Sequence, residues 1–300
     1  MEFTRVLKAI LPALLLAPTL RAQAITVRDG AGLQVTVKAP ATRVASLMSS
    51  TVDIIVALGA ADRIVARTRY DTASVIARAV NVGGGLDPSI ETLLASRPDL
   101  FIVWKGQATS AVVNRMRAVG VPVYLVETRD TSALFATVRD LGALLGLAPR
   151  ATAAANTLRA ELRAVQRATA GLPRPSAVFL ISRSPVIIAA SKSFMAELVG
   201  VAGATNPFSD LPGDFPTLSL ESFLARDPDV LIGGRRDDGG AQLARLRDAP
   251  GWRDLRAVKR GAVSEVDGEQ WGRPTLHVGA LVRELAVALQ RVAPLARRSE

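Results

Sequence analysis

The residues best suited to hold a ligand are aromatic and cationic side chains that follow predicted strands. Trp104 and Lys105 come directly after one apolar run, and Arg235 closely follows another. Trp271 and Arg273 lie after a third apolar run. Aromatic residues are only 4% of the chain, so each tryptophan is informative. Because cationic side chains pair with anionic groups, an aromatic face and several cations at one cleft predict a binding site for an anionic small molecule.

Other candidates lie in loops of the same kind. Met48, Ser49 and Ser50 follow the first predicted buried strand, and their hydroxyl groups can line a cleft or cap the next helix. Tyr70 lies just past the second strand, where a tyrosine contacts a ligand or simply occupies the surface. Arg183 follows a strand in the second half. Taken singly, the cations are interpreted as solvated surface charges; together near one cleft, they suit a ligand.

A repeated sequence unit positions these residues. Residues 89–102 and 219–232 align at a spacing of 130, with seven of fourteen positions identical. In each copy a serine, Ser89 or Ser219, is placed to cap a short helix, and a glutamate follows in its first turn. Pro-Asp then ends the helix, and an apolar run predicts a buried parallel strand. Each half therefore contains a helix-turn-strand unit, and ligands gather outside the carboxyl ends of such strands.

The predicted fold class is α/β, with two similar parallel or mixed-sheet lobes joined by one long rigid helix. Residues 148–169 are rich in helix-forming residues and, at 1.5 Å per residue, span about 31 Å. The predicted organisation is an N-terminal lobe at 25–146, a linking helix at 147–171 and a C-terminal lobe at 172–300.

The first 24 residues are interpreted as a secretory signal. Arg5 and Lys8 precede an apolar stretch too short to span a bilayer, and Ala22-Gln23-Ala24 matches a cleavage site, so cleavage is expected after Ala24. The chain has no cysteine, which excludes a lipid anchor through a cysteine thioether. These features predict a soluble periplasmic protein.

Composition and motifs disfavour several classes of function. The net charge is +10, but the cations are scattered among acids and no stacking motif accompanies them, so nucleic acid is not an expected partner. No Gly-x-Ser-x-Gly, Walker motif or cysteine ligand set is present, and the single histidine, His277, is expected to be a packed or surface residue rather than a metal ligand. A metal-cofactor enzyme with two α/β lobes remains the alternative of another class.

The chain resembles the periplasmic binding proteins of the iron-siderophore, haem and cobalamin ABC importers. The resemblance rests on residues 90–104, residues 218–232, the long middle helix and the order of the other elements, and it covers nearly all of the mature chain. It implies a monomer without cofactor or catalysis, whose two lobes hold a ligand and deliver it to a permease in the inner membrane. The cobalamin-binding protein is the most similar member, because it also has a strand-Trp-basic-Gly segment and a Trp loop before its last helix. A ferric siderophore or haem is the alternative ligand.

The resemblance also implies docking to the permease through an acidic residue on each lobe. In the C-terminal lobe, Asp237 and Asp238 are the expected docking residues. The corresponding place in the N-terminal lobe is Ser110, which departs from the pattern.

Overall fold

A computed structural model describes residues 24–190, 192–235 and 244–296. The predicted signal segment lies outside these residues except for Ala24, and the expected docking residues Asp237 and Asp238 also lie outside them. Within the described part of the chain, no helix combines the length and the apolar character needed to cross a membrane.

The N-terminal lobe is built on a five-stranded parallel sheet in the order β5-β4-β3-β6-β7. Its central strands are apolar and buried because helices cover both faces of a parallel sheet. A separate antiparallel hairpin, β1 and β2, precedes it. The strands are β1 (Ile25–Arg28), β2 (Gln34–Val37), β3 (Val44–Ser46), β4 (Ile64–Arg67), β5 (Val80–Asn81), β6 (Leu100–Trp104) and β7 (Val123–Val126).

The C-terminal lobe has a mixed sheet in the order β10-β9-β8-β11-β12. Strands β8, β11 and β12 are parallel, whereas β9 turns back from β8 and is antiparallel to both of its neighbours. The strands are β8 (Ala177–Arg183), β9 (Val186–Ile188), β10 (Thr217–Leu218), β11 (Val230–Arg235) and β12 (Val263–Asp267).

Helices flank both sheets, and the longest of them has the bounds that the sequence predicts. This helix, α5, packs against α4 of the first lobe and α10 of the second. The helices are α1 (Ser49–Ala57), α2 (Ile90–Ala95), α3 (Ala111–Ala118), α4 (Thr131–Leu144), α5 (Ala148–Thr169), α6 (Phe194–Val201), α7 (Leu220–Leu224), α8 (Arg256–Lys259), α9 (Gly268–Trp271) and α10 (Val278–Ala296). The two-lobed α/β prediction is confirmed, while the residue limits of the lobes stay a prediction.

The aspartate of each repeat copy forms hydrogen bonds at the start of the central strand of its sheet. Asp99 accepts hydrogen bonds from the backbone N–H and the hydroxyl of Thr42, at 2.9 and 3.0 Å, just before β3. Asp229 accepts the same two bonds from Ser176, at 2.9 and 2.7 Å, just before β8. The serines Ser89 and Ser219 accept a backbone N–H at the start of α2 and α7, so they are N-caps as predicted. The repeat therefore encodes a structural unit.

The largest hydrophobic core is shared by both lobes. It joins buried residues of the first sheet, such as Ile102, to Ile232 of the second sheet, with Leu158 of α5 and Leu285 of α10 in the same cluster. The lobes are thus packed through the helices between them.

Candidate functional site

An open cavity of about 510 Å³ lies at the carboxyl ends of β3, β4 and β6 in the N-terminal lobe. Its walls are mostly apolar or aromatic, and they include Met48, Ser49, Tyr70, Leu86 and Trp104. Four of these five were predicted to bind ligand from the sequence; Leu86 was not. The carboxyl ends of parallel strands in open sheets are the usual place for a ligand.

Trp104 supplies the largest flat surface of this cavity. It is the last residue of β6, and its side chain is 49% exposed, whereas the four preceding residues of the strand are buried. The indole ring lies against the backbone of Gly106, where an added Cβ would lie 2.3 Å from a ring carbon. Because real Cβ atoms do not approach so closely, only glycine at this position of the 3-10 turn leaves room for the ring.

Tyr70 and Leu86 extend the apolar surface from neighbouring loops. Tyr70 is 60% exposed, and the guanidinium carbon of Arg69 lies 5.9 Å from its ring centroid. Its loop is fixed by the buried carboxylate of Asp71, which accepts hydrogen bonds from the backbone N–H and the hydroxyl of Thr68 at 2.9 and 2.6 Å. Leu86 is 77% exposed, more than any other large apolar residue of the described chain. Large exposed apolar groups at one cavity indicate a binding surface.

The serines after β3 have different roles. Ser49 lines the cavity, while Ser50 is buried in the first turn of α1. The capping interpretation is wrong, because the N-cap of α1 is Met48 and no side chain accepts a hydrogen bond there. The turn is held instead by Thr51, whose hydroxyl donates to the carbonyl of Met48 at 2.8 Å.

Two of the predicted ligand-binding cations are paired with carboxylates. Lys105 forms an ion pair with Glu127, and the Nε of Arg129 lies 3.0 Å from the same carboxylate. Arg273 lies 3.6 Å from the carboxylate of Asp53, a residue of α1 in the other lobe. A cation that already has a carboxylate partner attracts an anionic ligand less strongly than an isolated cation.

The remaining predicted cations are at strand ends. Arg183 is the last residue of β8 and is exposed. Arg235 is the last residue of β11, in register with Asp267 of β12, but its side chain lies outside what the structure describes. Ser110 is the N-cap of α3, where its hydroxyl accepts the backbone N–H of Val113 at 3.4 Å.

The prediction that Trp271 contacts the ligand is wrong. Its side chain is 1% exposed and packs on Phe179, with 6.0 Å between the ring centroids. The segment after β12 was expected to be a loop, but residues Gly268–Trp271 form the short helix α9, which turns the indole into the core. Trp252 is also buried, with 5.1 Å between its ring centroid and that of Phe223.

Phe215 is a further exposed aromatic residue that the sequence analysis missed. It is 52% exposed and lies in the C-terminal lobe just before the second copy of the repeat. At the repeat spacing of 130 it corresponds to Gly85, which lines the cavity beside Leu86. Residues 85–88 and 215–218 share no identical position at this spacing, so extending the repeat backwards would not have identified Phe215.

Asp53 is influenced by charged groups of both lobes, including Arg273 and His277. Burial raises the pKa of the Asp53 carboxyl, Arg273 opposes that rise, and Asp71 adds to it. His277 is exposed, and within the described residues no group of three or more histidine, cysteine or acidic side chains is placed to hold a metal ion.

Comparisons with known proteins bear on this arrangement. A family model described as "Periplasmic binding protein" matches residues 44–269. The uncharacterized ABC transporter substrate-binding lipoprotein YvrC of Bacillus subtilis is 25% identical over 272 residues, which cover 88% of this chain and 85% of the relative. A vitamin B12-binding protein of Vibrio parahaemolyticus is 25% identical over 240 residues, which cover 79% of this chain and 85% of the relative.

A solved structure has the same fold. The periplasmic heme-binding protein of Roseiflexus sp. RS-1, in its apo form, matches with a TM-score of 0.73 and 24% identity. The match covers 84% of this chain and 98% of that protein. The two-lobed architecture is therefore shared with this heme-binding protein.

Proposed function

Because this chain belongs to the periplasmic binding protein family, as a substrate-binding component of ABC import and not an enzyme, we propose that it captures cobalamin between its two lobes. The exposed surface of Trp104, Tyr70 and Leu86 at the carboxyl ends of the first sheet carries this proposal. An indole and a phenol ring offer flat faces to a macrocycle, and such stacking contributes roughly 0.5–1.5 kcal/mol beyond the burial of apolar area.

The charges near the cavity favour a ligand without a large negative charge. Lys105 pairs with Glu127, Arg273 with Asp53, and Arg69 lies 3.2 Å from Asp87. A strongly anionic ferric siderophore would have to compete with these carboxylates for the cations. A corrin ring bearing neutral amides does not, and the vitamin B12-binding relative supports the same choice.

Haem is the second candidate, and Tyr70 favours it. The phenol is exposed at the cavity wall, and tyrosine oxygen is an established ligand of haem iron. The structural similarity to a heme-binding protein supports this alternative. The two ligands make different demands on Tyr70, since haem would need its oxygen whereas cobalamin would need only its ring.

Titration calorimetry with cyanocobalamin, haemin and a ferric catecholate siderophore tests the proposal. We expect binding of cyanocobalamin by the purified chain, a strong loss in Trp104→Ala and a small change in Tyr70→Phe. Tight binding of haemin that Tyr70→Phe abolishes, without binding of cyanocobalamin, would favour haem. Binding of the siderophore alone would overturn the preference for a macrocycle.

Delivery to a permease is the other half of the proposed function. Glu91 and Glu221 are exposed carboxylates in the first turns of α2 and α7, at equivalent places of the repeat. They offer one acidic group on each lobe, which the expected pair of Ser110 with Asp237 or Asp238 does not. We therefore assign docking to these two glutamates.

Uptake measurements test the docking assignment. Cells whose chromosomal copy carries both Glu91→Gln and Glu221→Gln are expected to take up less labelled cyanocobalamin, while the purified double variant keeps the parent affinity. Asp62→Asn, which alters an exposed acid outside the repeat, is the control. Unchanged uptake in the double variant would contradict the assignment.

Export to the periplasm by a cleaved signal remains part of the proposal. N-terminal sequencing of the mature protein is expected to begin at Ile25.

A further inference from the structure

Helices α1 and α6 occupy equivalent places in the two lobes and carry an acid at the same position. Each helix is followed by a glycine with positive φ, Gly59 at 76° and Gly203 at 98°. Asp53 lies six residues before the first glycine, and Glu197 lies six residues before the second. The glycine fixes where the helix ends, so the two carboxylates project from corresponding turns.

Glu197 reaches from the C-terminal lobe to the N-terminal lobe. Its carboxylate accepts hydrogen bonds from the backbone N–H and the hydroxyl of Thr131, both at 2.7 Å. Thr131 is the first residue of α4, so its N–H has no partner within that helix. A carboxylate at a helix N-terminus also interacts favourably with the helix dipole.

Asp53 reaches from the N-terminal lobe to the C-terminal lobe. It belongs to α1 of the N-terminal lobe, and its carboxylate lies 3.6 Å from the guanidinium of Arg273 in the C-terminal lobe. Asp53 is one helical turn after Ser49, which lines the cavity. This ion pair therefore lies next to the proposed binding surface.

The two connections are reciprocal. Thr131 follows β7, the last strand of the first sheet, and Arg273 follows β12, the last strand of the second. In each lobe, the helix bearing the acid thus contacts the segment after the final strand of the other lobe.

We propose that Asp53 and Glu197 are a pair of reciprocal interlobe clamps that set the distance between the lobes before any ligand arrives. Glu197 is the stronger clamp, because it makes two short charge-assisted hydrogen bonds, whereas the Asp53 pair is longer. The inference concerns the lobes themselves and does not depend on which ligand is carried.

Distance measurements between spin labels test the clamps without ligand. The chain has no cysteine, so Arg115→Cys in the first lobe and Ala225→Cys in the second give a clean label pair at exposed positions. We expect one narrow distance distribution in the labelled parent, a longer and broader one in Glu197→Ala, a smaller change in Asp53→Ala, and the largest change when both are replaced.

Conservative variants separate the clamp from a general loss of structure. Glu197→Gln keeps an oxygen that accepts from Thr131 and should restore much of the narrow distribution, and Thr131→Val, which loses only the hydroxyl bond, should be intermediate. Glu284→Ala, which removes an exposed acid on α10, is the matched control and should leave the distribution unchanged.

If the distributions of Glu197→Ala and of the doubly substituted variant match the parent while circular dichroism shows both folded, the proposal is overturned. Cyanocobalamin titrations of the parent are independent of this result, so failure of the clamps and failure of the proposed ligand remain distinguishable.

Discussion

At the scale of single residues, the environment of each tryptophan decides its role. Trp104 is the last residue of β6, next to the central strand of its sheet, and Trp271 follows the edge strand β12. The first lies half exposed against Gly106, and the second is enclosed beside Phe179. The sequence could place both near strand ends but not the direction of either side chain. Trp104 is followed by a 3-10 turn at Lys105–Gln107, whereas Trp271 is itself the last residue of the short helix α9.

Alanine substitution of Trp271 should therefore mainly lower stability, whereas alanine substitution of Trp104 should mainly weaken ligand binding. Trp271→Ala leaves a cavity in the shared core and is expected to lower the free energy of unfolding by about 3–5 kcal/mol. Trp104→Ala should change it by no more than about 0.5 kcal/mol but weaken ligand binding by about 2 kcal/mol, roughly 30-fold in Kd. Urea denaturation and calorimetric titration measure the two quantities.

Trp104→Phe is the control for binding, because it keeps an aromatic face and should lose less affinity than the alanine variant. A large loss of stability in Trp104→Ala would show that this side chain is structural and would contradict its assignment to the binding surface.

The half-buried carboxyl group of Asp53 makes the stability of the protein depend on pH. Its pKa is raised above the ordinary 3.8, chiefly by burial, so the folded state holds its proton more tightly than the unfolded state does. Stability from this group is therefore greatest below pH 3.8 and falls as pH rises through the folded pKa. Ionised Asp53 holds Arg273 at neutral pH at the expense of some stability.

Asp53→Asn should remove the loss of stability that ionised Asp53 causes at neutral pH. We expect its free energy of unfolding at neutral pH to equal or exceed that of the parent, and the advantage to shrink as pH falls toward 3.8. Denaturation across this pH range measures it, with the exposed Asp62→Asn as control. A variant that is less stable than the parent at neutral pH and equally stable in acid would show that the ion pair with Arg273 outweighs burial.

At the scale of elements, local sequence determined most of the helices and strands. Helix α5 has the predicted bounds, and both repeat units form the expected capped helix and buried strand. The sequence did not predict helix α9. The residue that marks its start is Asp267, which accepts the backbone N–H of Gln270 at 3.1 Å. A helix of four residues is too short to show a helical pattern of apolar residues.

The exposed apolar residues of the loops could not be predicted in the same way. Leu86 and Phe215 lie in segments without regular structure, where no periodicity separates exposed apolar residues from buried ones. Likewise, the pairing of Arg273 with Asp53 joins residues far apart in the chain and depends on how the lobes are packed.

Asp99 and Asp229 should stabilise the two sheets in the same way. Asp99→Ala and Asp229→Ala each remove the acceptor that holds the start of a central strand, and each should cost about 1–3 kcal/mol of unfolding free energy. Asp99 also accepts the backbone N–H of Arg43 at 2.9 Å, and Asp229 also lies 3.3 Å from Arg256, so the two substitutions should cost similar amounts. Asparagine variants, which keep one acceptor oxygen, should lose less in the same urea titrations. A negligible effect of Asp99→Ala would contradict this role for the repeat.

At the scale of the whole molecule, the two lobes have separate sheets but one principal core. Helix α5 packs on both α4 and α10, and the largest apolar cluster continues from the first sheet through these helices to the second. The sequence indicated two similar halves and a long helix between them. It could not indicate that the helix is embedded in both, because an amphipathic pattern does not specify its packing partners.

That continuous core has a thermodynamic consequence. Neither half can lose its packing without exposing apolar surface that belongs to the other, so the chain should melt as one cooperative unit instead of two. Scanning calorimetry is expected to give a single endotherm with equal calorimetric and van't Hoff enthalpies, and Leu158→Ala within α5 should shift that endotherm to lower temperature without splitting it. Two separated endotherms in the parent would mean that the halves fold independently and that the helix merely tethers them.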